Sequence, residues 1–280
     1  GGVITVAECV RNLACTGARS LAITDNLNFG NPNKPEVFYT FRESVRGMAD
    51  ACRAYDLPVT GGNVSLYNEN QIGSIDPTPV ASVVGLIEES GDVTRQFCQS
   101  PGEKLILIGG LPDELGGSQY LKVIHGLKVG RAPKVDLEVE KTQNAFLLAE
   151  IRAGRVVAAH DLSEGGLLVA LVEMLLESDD LGMDLKVDPK PGQRLDATFF
   201  GESQGRILVS VGPDCEQAFL DAAEAAGVNA RTIGVVEEGG RFNLSLESGD
   251  CAVQWAVDDL CEIWEKSIEK RMERPGLVQT

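Results

Sequence analysis

Between residues 20 and 60 the chain reads as strand, polar loop, long helix and strand, and this alternation restricts the fold more than any other feature. Val37, Phe41, Val45, Met48, Cys52 and Tyr55 recur three or four residues apart. That spacing predicts a helix over 36–55 with one apolar stripe laid against a sheet. Pro35 stands where a helix start tolerates it. Short apolar, β-branched runs at 20–24, 57–60, 80–87, 104–108, 156–160 and 205–211 predict strands, and helical patterns fit 141–152, 166–177, 215–226 and 255–271. The expectation is an α/β or α+β chain. Residues 88–103 concentrate charges and turn formers, so the domain boundary is placed there, giving units at 1–95 and 96–280.

Composition removes several function classes. The 280 residues are 43% hydrophobic, enough for one large core or two moderate ones. The apolar runs fall far short of the roughly 20 residues a bilayer span needs. A formal charge of −17 disfavours nucleic acid, whose binding rests on clustered Lys and Arg. Seven scattered cysteines, Cys251 among them, contain no CxxC pair, so neither a disulfide framework nor a zinc knuckle fits, and a reducing cytoplasmic location is expected. The opening Gly1-Gly2-Val3 lacks an initiator Met and reads as a cut end.

Three motifs could carry chemistry. The first, Thr24 to Pro32 (TDNLNFGNP), follows an apolar strand and crowds carboxylate and amide oxygens at its carboxyl end. Magnesium takes oxygen ligands and keeps waters, so Asp25 with neighbouring Asn residues suits a metal–nucleotide site. The same residues also fit a loop that satisfies its own backbone. The second, Thr60 to Glu69 (TGGNVSLYNE), sets Asn63 and Ser65 beside two glycines that admit close backbone approach, or that simply make a turn. The third, Ala159 to Leu167 (AHDLSEGGL), reads as a strand end, an acidic turn and a glycine-opened helix, with Asp161 and Ser163 expected as caps. Residues 109–118 form a glycine-rich stretch without a GKS or GKT and are expected to be a structural loop. Glu202 and Arg206 are expected to form a structural ion pair or to anchor the following strand. With His125 and His160 as the only histidines, a histidine zinc site is not expected.

Taken in order, TDNLNFGNPNKPE, TGGNVSLYNE, PTPV before VVGLIE, GGSQYLK, HDLSEGGLLVAL and FGESQGRILVSV resemble the second half of large subunits of the phosphoribosylformylglycinamidine synthase family. The resemblance runs from about Val6 to Trp264 and places the chain in the aminoimidazole ribonucleotide synthetase superfamily. It implies an N-terminal α/β sandwich domain followed by a C-terminal α/β domain, with the chain starting inside the first helix of its unit. It further implies an ATP-dependent ligase that turns the amide of formylglycinamide ribonucleotide into an amidine. In that reaction ATP phosphorylates the amide oxygen and ammonia from a glutaminase displaces the phosphate. By the same resemblance Asp25 and Gly62 contact nucleotide, Asn63 binds magnesium and Ser65 contacts the ribonucleotide substrate. The family's catalytic histidines belong to the first unit, so no catalytic residue is expected here and the chain alone is expected to be inactive. Implied partners are the N-terminal half of the subunit and a glutaminase supplying ammonia; the short tail after Trp264 fits a separate glutaminase subunit, and a cut end would fit a fused one as well. A homodimer is a further expectation. A non-catalytic nucleotide scaffold, or a superfamily relative such as selenophosphate synthetase, is the alternative reading.

Overall fold

The computed structural model describes residues 1–178, 180–246 and 252–272; Cys251 and the tail from residue 273 lie outside them. Helix α1 (Gly2–Cys15) leads into β1 (Arg19–Asn28), α2 (Pro35–Ala54), β2 (Val59–Ser65) and β3 (Thr78–Leu86). These strands form a sheet in the order β2-β1-β3, with β1 parallel to β2 and antiparallel to β3. A parallel neighbour requires a crossover, which the 20-residue α2 supplies. Side chains alternate across β1. Ile23 and Leu27 are buried against Met48, Ala51 and Cys52 of α2 and Val6 and Val10 of α1. The opposite face holds Thr24, Asn26, Val80, Val84 and Leu86, and Val84 is 62% exposed. One side of this sheet is therefore covered and the other open.

The remaining elements are β4 (Lys104–Ile108), α3 (Gln119–His125), α4 (Leu137–Arg152), β5 (Val156–Asp161), α5 (Gly166–Glu173), β6 (Leu181–Lys186), α6 (Leu195–Phe200), β7 (Ile207–Val211), α7 (Glu216–Ala225), β8 (Ala230–Glu238), β9 (Arg241–Ser245), β10 (Ala252–Ala256), α8 (Val257–Glu265) and α9 (Ser267–Met272). Their seven strands are ordered β10-β9-β6-β8-β4-β7-β5. Strand β4 reads as an unbroken apolar run because both of its faces are covered. Leu105 and Leu107 enter one core with Leu167 and Leu171 of α5 and Phe199 of α6. Ile106 and Ile108 enter a second with Phe146, Leu147 and Ile151 of α4 and Phe219 of α7. Each such side chain contributes on the order of 1.5–3 kcal/mol of burial. Ala14 and Cys15 of α1 join this second core, so one helix packs on both sheets.

Several expectations need correction. Residues 24–28 are the second half of β1, held in the ladder by β2 and β3 together. Gly61 and Gly62 lie inside β2 rather than in a turn. Trp255 is no helix residue: it sits in β10 opposite Phe242 of β9, ring centroids 5.8 Å apart. The helix expected over 255–271 starts at Val257 and is interrupted at Lys266. The helix expected to reach residue 177 ends at Glu173, where three-residue turns such as Leu175 N–H to the Val172 carbonyl take over. No helix among the described residues is long and apolar enough to cross a membrane.

Candidate functional site

The first two motifs become neighbours because β1 and β2 pair in parallel, Asp25 opposite Gly62, Asn26 opposite Asn63 and Asn28 opposite Ser65. The Asn63 amide nitrogen donates to Asn26 Oδ1 and to Ser65 Oγ, both at 3.1 Å. With both donors engaged, the Asn63 Oδ1 faces no partner among the described residues and is available to a hard cation. Ser65 accepts from Asn63, which leaves its hydroxyl proton to donate outward. Alternation puts Asp25 on the other, helix-covered face. There it lines a pocket of about 100 Å³ with Ile23, Val45, Met48, Ala49, Cys52 and Val59. Asp25 and Asn63 thus stand on opposite faces of one sheet, separated only by the outer strand β2.

Gly62 has a steric reason to be glycine. A Cβ built on it would lie 1.7 Å from Asp25 Oδ1, so the carboxylate crosses directly over the bare backbone. Gly61, next to it, has open space around it. The outer edge of β2 is therefore exposed polar backbone without side-chain cover.

The third motif does something else. Gly165, at φ 81°, occupies the cap position of α5 without a side-chain bond, which overturns the capping expected of Asp161 and Ser163. Asp161 instead lies 3.7 Å from Arg11 Nε, and Ser163 donates to Glu8 at 3.3 Å. Arg11 is 1% exposed and also binds Glu140 at 2.9 Å and Gln204 at 3.1 Å. This buried cluster pins α1 to α4 and to the end of β5. Burial pushes the Glu140 carboxyl up, against the pull of Arg11. His160 contacts Glu173 at 3.1 Å and Asp161 at 3.5 Å. Burial opposes its protonation, but the bonds and charges of Asp161 and Glu173 prevail and lift its pKa to about 9. His125 stacks edgewise on Tyr120.

Glu202 and Arg206 do not pair with each other. The Glu202 carboxylate accepts the N–H groups of Gln119 at 2.7 Å and Gly165 at 2.9 Å, tying the starts of α3 and α5. Arg206, 1% exposed, donates to the carbonyls of Ser203 and Gly201 at the entry to β7, and burial lowers its pKa to about 10. The anchoring half of the expectation holds. Sequence reasoning missed Arg11 altogether. Its signal was present: a lone cation among Val6, Ala7, Val10 and Ala14, at helical spacing on a buried stripe. A cleft of about 680 Å³ is lined by Arg95, Phe97, Cys98, Gln99, Glu177 and Glu238 among others, and by none of the motif residues.

The sequence profile of AIR synthase related protein, N-terminal domain, matches residues 1–87, and that of AIR synthase related protein, C-terminal domain, matches residues 100–247, more than half of the chain. The chain belongs to the AIR synthase related family. Within that family it is 48% identical over 264 residues to phosphoribosylformylglycinamidine synthase subunit PurL of Moorella thermoacetica, an alignment covering 91% of this chain and 35% of the relative. The chain thus spans about a third of the length of that relative. Among solved structures it resembles Thermotoga maritima PurL complexed with ATP, at TM-score 0.72 and 22% identity over 93% of this chain and 41% of that one. PurL of the same organism complexed with FGAR gives TM-score 0.74 at 20% identity, with 93% and 42% covered. The hydrogenase maturation protein HypE of E. coli shares the fold at TM-score 0.66 and 19% identity, covering 91% of this chain and 78% of that one. These structural likenesses show that the chain shares the fold of those proteins.

Proposed function

We propose that the chain is the magnesium- and nucleotide-holding second half of an ATP-dependent ligase that converts formylglycinamide ribonucleotide to formylglycinamidine ribonucleotide in purine biosynthesis. The observation that carries this reading is the Asn26–Asn63–Ser65 arrangement beside Asp25 and Gly62, in a chain nearly half identical to a PurL subunit. The nucleotide is read as lying across the outer edge of β2. Asp25, in its small apolar pocket, accepts N–H or O–H donors of the nucleoside. Gly61 and Gly62 admit the ligand to the backbone. Asn63 supplies one oxygen to magnesium, a cation that uses one or two protein ligands and takes the rest from water and phosphate. Bound magnesium supplies charge neutralisation for phosphoryl transfer. Ser65 donates to the ribonucleotide.

The uncovered face of the three-stranded sheet supports docking of the N-terminal half of the subunit, because Val80, Val84 and Leu86 would otherwise face water. A glutaminase subunit supplying ammonia and a cytoplasmic location belong to the same reading. His160, held by two carboxylates, has no role as a base in it, and the chain alone is inactive.

Calorimetric titration of the chain with ATP and magnesium tests the site. Binding is expected in the unaltered protein, with loss in Asp25→Ala and a weakened magnesium requirement in Asn63→Ala. Absence of binding in the unaltered chain, or equal binding in all three proteins, would overturn it.

A further inference from the structure

Beyond their strands the two motifs remain joined. Phe29 N–H donates to the Ser65 carbonyl, Tyr67 N–H to Gly30 and Asn68 N–H to Phe29. The Asn68 side-chain amide reaches both Phe29 O and Ser65 O, at 3.1 and 2.9 Å. This ladder ends on Glu69. A single oxygen of that carboxylate, Oε1, accepts from the Asn31 backbone N–H at 3.0 Å, from Lys34 Nζ at 2.9 Å and from Ser74 Oγ at 2.6 Å. The three donors come from three places: the turn after β1, the residue capping α2 and the loop before β3. Gly30 is bare for the same reason, since a Cβ there would meet Ser74 Oγ at 2.5 Å. Bonds from Ser74, Lys34 and Asn31 hold the Glu69 carboxyl down at about 2, so it is ionised whenever the protein is folded near neutrality.

We propose that Glu69 is a positioning residue for the magnesium–nucleotide site: it clasps the end of β1 to the end of β2 and so fixes Asn63 and Ser65 relative to Asn26. The inference rests on the site assignment above. A carboxylate that collects three donors from separate segments acts on ligand geometry as an outer-shell partner does, and loss of such partners typically costs 10–100-fold in metal affinity. Glu69→Gln keeps an oxygen acceptor for Asn31 and Ser74 but gives up the charge that Lys34 meets. It is the conservative variant.

The test titrates the unaltered chain, Glu69→Ala and Glu69→Gln with ATP and magnesium, and records backbone hydrogen exchange and the urea midpoint of each. Glu69→Ala is expected to bind roughly 10–100-fold more weakly. Its amides at 29–31 and 65–68 should exchange faster while those of β4 and β7 keep their protection, and Glu69→Gln should fall between. If the alanine variant binds as tightly as the unaltered chain, or loses affinity only in proportion to a global loss of protection, Glu69 is structural and the proposal falls. If the unaltered chain takes up no magnesium–ATP, the site assignment itself falls and this proposal with it. If the unaltered chain binds and both Glu69 variants bind as tightly as it does, the site assignment stands and the clasp alone falls.

Discussion

At the scale of single residues, steric exclusion explains more than conformational freedom does. Gly62 is not in the left-handed region; it is glycine because Asp25 Oδ1 occupies the space its Cβ would need. Gly62→Ala must therefore displace the carboxylate or bend β2. Overpacking of this kind costs about 1–3 kcal/mol. The expected outcome is a lower urea midpoint together with weakened magnesium–ATP binding, whereas Gly61→Ala, whose neighbour space is open, should change neither by much. The sequence made the identity of these residues legible, since Asp25, Gly62, Asn63 and Ser65 could be singled out from residue chemistry and motif resemblance. Their division between two faces of a sheet could not be read, because it depends on β1 running to Asn28 and not stopping near Thr24.

At the scale of elements, α1 does the joining. Its apolar stripe feeds the core under the three-stranded sheet through Val6 and Val10, and its last turn feeds the second core through Ala14 and Cys15. Arg11 binds Glu140 of α4 and lies beside Asp161 of β5. Removing one partner of a buried ion pair leaves the others uncompensated and costs about 3–5 kcal/mol. Arg11→Ala should therefore lower the midpoint of the whole molecule in a denaturant titration. A loss below 1 kcal/mol would mean that the cluster contributes little. Elements with strong helical period, such as α2 and α4, were legible in the sequence. Strands β6, β8 and β9 were not, because β6 and β8 carry Gly182 and Gly234, and β9, though as long as β4, has only Phe242 and Leu244 in place of an unbroken apolar run. Trp255 misled for a related reason: its apolar bulk fits either a helix stripe or a strand face, and only the pairing with β9 decides.

For the molecule as a whole, His160 makes stability depend on pH. Its folded pKa, about 9, lies above the ordinary histidine value of 6.5. The folded state then holds the proton more tightly than the unfolded chain does. The contribution is fully present below pH 6.5 and is lost as pH rises through about 9. Urea midpoints taken between pH 6 and 9.5 should fall with pH, and His160→Gln should flatten that slope between 6.5 and 9. An unchanged slope in the variant would show that other groups cause it.

The reach of α1 also sets an order of events during synthesis. Arg11 and Glu140 are 129 positions apart, and Arg11 and Gln204 are 193 apart. At ribosomal rates of about 5–20 residues per second, Gln204 follows Arg11 by roughly 10–40 s. Through that interval α1 lacks one of the groups that hold its guanidinium, while Glu140 and Asp161 arrive earlier. The three-stranded sheet can be made early, but the seating of α1 against the larger sheet is complete only once Gln204 has followed.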